Sequence, residues 1–138
     1  MAVGFQFEYF FYQVGHGDFL HSFFSTISYH LEPDGWGTQY PKLMNDLYYN
    51  ELCCKDIPYA IEEIDEIRDK LVDFLPSQIV WDIDDLNLRP PWKDHISKEI
   101  TNLANYFKTS DGRDLFELLH TVLTAVYEDK SNVKIVSL

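Results

Sequence analysis

Residues 79–92, IVWDIDDLNLRPPW, constrain this chain more than any other stretch. Ile79, Val80 and Trp81 are two β-branched residues and an aromatic, the composition of a buried strand. Three carboxylates follow, on Asp82, Asp84 and Asp85, before the consecutive prolines Pro90 and Pro91. A proline has no backbone N–H and forces its predecessor extended, so neither helix nor inner strand can run through the pair. These residues predict a strand near 78–84 that delivers acids to its end, then a stiff elbow closing at Trp92. Alternation would set Asp82 and Asp84 on one face of that strand and Trp81 and Ile83 on the other, with Trp81 in the core.

Upstream, residues 2–13 alternate, with Val3, Phe5, Phe7, Tyr9 and Phe11 on one side. Strict period 2 predicts one long N-terminal strand with a core face. Gly15 and Gly17 bracket His16 in a turn. Asp18 is then placed to cap a helix whose buried stripe is Leu20, Phe23, Phe24, Ile27 and Leu31, ended by Pro33 and Gly35. A short second helix is expected to bury Leu43, Met44, Leu47 and Tyr48, with Pro41 in its first turn. The third, capped by Asp56 and closed by Pro76, has the cleanest pattern. Its apolar stripe is Ala60, Ile61, Ile64, Ile67, Leu71, Val72 and Leu75, and acids fill most of the remainder.

Past the elbow, Ser97 can cap a helix bearing Ile100, Leu103, Ala104 and Phe107. A turn at 109–112 precedes a last helix with Leu115, Leu118, Leu119, Val122 and Val126 inward and Asp111 or Asp114 at its start. A weakly alternating strand near 132–137 closes the chain. These elements predict an α+β fold, a small mixed β-sheet packed with about five α-helices. With no repeat, linker or low-complexity tract, residues 1–138 read as a single domain.

The formal net charge is −12, which argues against nucleic acid as a direct ligand, since phosphate contacts need Lys and Arg. The charge is uneven. Residues 51–75 hold eight Asp/Glu against three Lys/Arg, whereas residues 98–138 hold six against five. No apolar run reaches the roughly 20 residues of a membrane span, and the N-terminus lacks the basic start of a secretory signal. A cytoplasmic protein without a membrane partner is expected. The adjacent Cys53 and Cys54 are too strained a pair to bridge and have no partners for a zinc site, so they read as reduced thiols.

The sharpest catalytic reading starts from Asp82-x-Asp84, which resembles the first motif of haloacid-dehalogenase-type phosphotransferases. There the first Asp attacks phosphate, the second moves protons, and Mg²⁺ bridges them. Leu86 stands where that family has Thr or Val, and only 52 residues follow it, too few for the remaining motifs. A Mg²⁺-dependent phosphotransferase or hydrolase using Asp82 and Asp84 is therefore the alternative rather than the leading expectation. Metal binding by Asp82, Asp84 and Asp85 alone lacks the ligand number and turn glycine of a Ca²⁺ loop. His16, His21, His30, His95 and His120 have no metal-ligand spacing. No catalytic residue, metal or cofactor is expected.

The run from Trp81 to Leu119, WDIDDL…RPPW…IS…NYF-TSDGRDLFELL, and the opening VGFQFEYFFYQVGHGDFLHSFF together resemble the immunity protein 70 family of bacterial polymorphic toxin systems. In that family a Gly commonly follows Pro-Pro-Trp; Lys93 holds the position here. The resemblance implies a non-enzymatic cytoplasmic protein that binds and neutralises a cognate toxin domain. Toxins of this kind are often nucleases with positively charged clefts, which an acidic surface can occupy. The residues expected to meet such a basic partner are Glu62, Glu66, Asp69 and Asp73 on the third helix and Asp84, Asp85 and Trp92 near the elbow, with Trp36 as a further candidate.

Overall fold

The computed structural model describes residues 2–137. The alternating N-terminal stretch is a hairpin, not one long strand. β1 (Ala2–Phe7) reverses at Glu8-Tyr9 and returns as β2 (Phe10–His16). Glu8 makes the reversal with a left-handed backbone, φ +51°, at a cost of roughly 1 kcal/mol for a residue with a Cβ. β1 is central in a three-stranded sheet of order β2-β1-β3, flanked on its other side by β3 (Lys134–Ser137). Both pairings are antiparallel, so the sheet is not mixed. At the register shift beside Gly4, a Cβ would lie 2.3 Å from the Tyr12 carbonyl oxygen. Only glycine lets the two strands close there.

Phe5, Phe7 and Val14 face a single cluster of buried side chains contributed by α1 (Gly17–Leu31), α2 (Ile57–Leu71) and α3 (Leu115–Glu128). Phe23 sits at its centre, edge-on to Phe24, Phe107 and Phe116 with centroids 5.1–5.4 Å apart, the arrangement ring quadrupoles favour. The expected stripes of α1 and α3 are buried, except that Leu31 is only half covered. His16, not Asp18, caps α1: its ring nitrogen accepts the Asp18 N–H at 3.1 Å. Asp114 caps α3 through the Glu117 N–H. Asp56 begins α2 without a side-chain cap. That helix stops at Leu71, so Val72 and Leu75 are exposed, and Pro76 opens a 3₁₀ turn instead of closing the helix.

Among the described residues there are three α-helices and a π-helical segment, Lys42–Leu47, rather than about five α-helices. The helix expected from Ser97 to Phe107 is absent: residues 97–107 form turns and loop. Asn105 there accepts the N–H groups of Thr101 and Asn102, and Asn102 accepts those of Ala104 and Asn105. Asparagine side chains that satisfy nearby backbone groups compete with the helical ladder and win. Leu103, Ala104 and Phe107 are buried all the same.

The strand expected near 78–84 is absent: after the 3₁₀ turn Pro76–Gln78, residues 79–84 pair with no strand. Their backbone groups go to α1. Ser22 and Thr26 hydroxyls donate to the Val80 carbonyl at 2.8 and 3.1 Å. The Val80 N–H donates to the Thr26 oxygen at 3.1 Å, and the Ile83 N–H to that of Ser25 at 3.2 Å. A buried backbone must be satisfied somewhere, and here three hydroxyls on one helix face replace a neighbouring strand.

Candidate functional site

That fastening decides where the elbow acids point. Asp82 and Asp84 are not alternate residues of a strand. The Asp82 carboxylate accepts the Asp84 N–H at 2.9 Å, and Asp85 accepts the Asn87 N–H at 3.1 Å, two successive Asx turns. Asp82 also meets His21 of α1, with Oδ1 3.2 Å from Nε2. The other ring nitrogen of His21 lies 2.5 Å from the Tyr48 hydroxyl. Burial pushes the Tyr48 phenol up to about 12, with Tyr49, Asp82 and Asp84 adding repulsion, so the hydroxyl keeps its proton. Trp36 completes the cluster: its ring lies 5.3 Å from Tyr48 and 6.4 Å from His21, and its N–H donates to the Met44 carbonyl at 2.9 Å.

Asp84 and Asp85 are exposed. Trp81, assigned to the core, is only half-buried, stacked edge-on against Trp92 at 5.5 Å. Trp92 is half-buried too, with its N–H donated to the Tyr106 hydroxyl at 2.8 Å. It walls an open apolar hollow of about 330 Å³ with Phe19, Ile96, Ile100 and Tyr106. Lys93 beside it takes φ +52°, the left-handed conformation a glycine adopts freely.

On α2, Glu62, Glu66 and Asp69 are exposed on the side turned from the core, and Asp73 is exposed in the turn just past the end of the helix. Glu62 and Glu66 line a shallow depression of about 230 Å³ with Glu63, Tyr40, Tyr59 and Gln39. Lys70 pairs with Glu66 at 3.6 Å, and Arg68 turns to Asp114 and Glu117 on α3. Glu63 has a different task. Its carboxylate accepts the N–H groups of Lys42 and Leu43 and so holds the start of the π-helical segment against α2. Burial raises its pKa, and those two hydrogen bonds offset part of the rise. Among the described residues no ion pair or hydrogen bond links the α2 acids to Asp84, Asp85 or Trp92, so the two groups are separate features of the surface.

Several residues that organise this region carry no motif. Glu32 is almost fully buried, and its carboxylate accepts the N–H groups of Gly37, Gln39 and Tyr40 at 3.0–3.1 Å. It shapes the loop that presents Trp36. Ser22, Ser25 and Thr26 were legible only as a hydroxyl stripe at helical spacing, and His21 and Tyr48 are far apart in sequence.

The strand on which the phosphotransferase reading depended does not exist, and Asp82 is engaged by His21 and by its own turn. Among the described residues no helix is long and apolar enough to cross a membrane. What remains is a small α+β protein with many exposed carboxylates. The family model for immunity protein 70 matches residues 5–135, and the chain belongs to that family. Membership implies an immunity protein directed against polymorphic toxins. Comparison with curated proteins and with solved structures gave no match.

Proposed function

We propose that the protein neutralises a cognate toxin domain by stoichiometric binding and performs no chemistry of its own. The observation that carries this reading is the family match over residues 5–135. The whole chain acts as one immunity domain in the cytoplasm of the producing cell, without nucleic acid or membrane as partner. The toxin surface it meets is basic, as the cleft of a nuclease is.

Two surface features favour this. Glu62 and Glu66 flank a notch walled by Tyr40 and Tyr59, chemistry that suits an inserted Arg or Lys, with carboxylates for the charge and ring faces for the stem. Asp69 and Asp73 continue the same face, while Asp84 and Asp85 extend the field from the elbow. Such a field raises association from about 10⁶ towards about 10⁸ M⁻¹s⁻¹ at low salt. Trp92 contributes as the wall of an apolar hollow that receives a partner side chain, rather than as a projecting anchor. The test is co-expression with a cognate toxin domain, sought first in any toxin gene adjoining this one. Survival of cells that die from the toxin alone is expected; death despite abundant folded protein rejects the proposal.

A further inference from the structure

The fold gathers His21, Asp82 and Asp84 from positions 61 to 63 residues apart along the chain, with one nitrogen and two carboxylate oxygens within 4.8 Å of one another. We infer that these three side chains bind one divalent transition-metal ion, Zn²⁺ by preference. The site shares Asp84 with the acidic field proposed to meet the toxin but does not rest on that proposal, and it departs from the expectation of no metal, which considered the aspartates without His21.

Four features of the site support it. Ligand atoms on a tetrahedral Zn²⁺ lie about 3.3 Å apart when each bond is about 2.0 Å, and His21 Nε2 and Asp82 Oδ1 are already 3.2 Å apart. Asp84 is exposed, and among the described residues its carboxylate has no hydrogen bond or ion pair, so a rotamer change can bring it in. The frame is rigid: His21 sits on α1, and the chain entering Asp82 is fastened to the same helix by Ser22, Ser25 and Thr26. Finally, the far nitrogen of His21 has an outer partner in Tyr48. A metal-bound imidazole carries its proton on the opposite nitrogen and donates it to such a partner.

Tautomer and ion are therefore linked. Without metal, the Tyr48 O–H donates to Nδ1 and Nε2–H donates to Asp82. With metal, Nε2 and Asp82 both turn to the ion and Nδ1–H donates to Tyr48. Two carboxylates neutralise the ion, and N/O donors of this type suit Zn²⁺ better than Mg²⁺ or Ca²⁺, which take oxygen. A water completes the fourth position.

Calorimetric titration of the full chain with Zn²⁺ tests this, alongside visible absorption after Co²⁺ addition. One saturable site is expected in the wild type, with four-coordinate Co²⁺ bands. Asp84→Asn leaves the fold intact because it removes no protein contact, and it should abolish the site. Tyr48→Phe should weaken it about tenfold while the bands persist. The inference is overturned if the wild type shows no saturable binding, or if Asp84→Asn and His21→Gln both bind as tightly, which would place the ion elsewhere, for instance at Cys53 and Cys54.

Discussion

Thr26 does two things with one oxygen. It donates to the Val80 carbonyl and accepts the Val80 N–H, so a near-isosteric Thr26→Val leaves the N–H buried without that acceptor and the carbonyl with one donor fewer. Each such loss costs about 1–3 kcal/mol, though Ser22 still serves the carbonyl. We expect Thr26→Val to lower stability by roughly 2 kcal/mol in urea unfolding; a loss under about 0.5 kcal/mol would mean that Val80 is held some other way.

Glu63 provides a pH test. Its folded carboxyl binds a proton more tightly than in the unfolded chain, because burial outweighs the Lys42 and Leu43 hydrogen bonds. Glu63 therefore contributes stability that is complete below its ordinary pKa and is lost as pH rises through the folded value. Glu63→Gln removes that titration but keeps an oxygen for the Leu43 N–H. Relative to wild type, the variant should gain stability as pH rises above the ordinary glutamate range, measured by denaturant unfolding at several pH values. A difference that stays constant or reverses contradicts the assignment.

At the scale of elements, α1 explains what the sequence disclosed and what it withheld. Its apolar stripe has helical spacing and was legible. Ser22, Ser25 and Thr26 recur at the same spacing, but hydroxyls on a helix are ordinarily solvated, and nothing local shows that they replace a strand partner for Val80. Residues 79–81 then have strand composition without a strand. The hairpin was hidden for the opposite reason: Tyr9 and Phe10 keep the aromatic pattern of residues 2–13 unbroken, and the reversal depends on a left-handed Glu8 that no turn residue announces. Lys93 is the elbow's counterpart, left-handed without being glycine. The acids of α2 were placed correctly on the outer side because period 3.6 sorts them, whereas the meeting of His21 with Asp82 and of Glu32 with the 37–40 loop depends on tertiary packing and left no pattern to read.

For the whole molecule, the proposed function turns on the charge field. Eight carboxylates lie in residues 51–75, and of these Glu62, Glu66 and Asp69 are exposed on α2, with Asp73 exposed in the turn that follows it. If these acids steer a basic toxin, most of their effect lies in the rate of encounter and is screened by salt over about 10 Å at 0.1 M. The most direct measurement is the association rate with the cognate toxin domain at low and high salt, for wild type and for the variant E62K/E66K/D69K/D73K. Wild type should bind one to one, faster at low salt, and the variant should associate at least about tenfold more slowly with most of the salt dependence gone. A variant that binds as fast as wild type, with an unchanged salt response, would contradict acidic steering through α2.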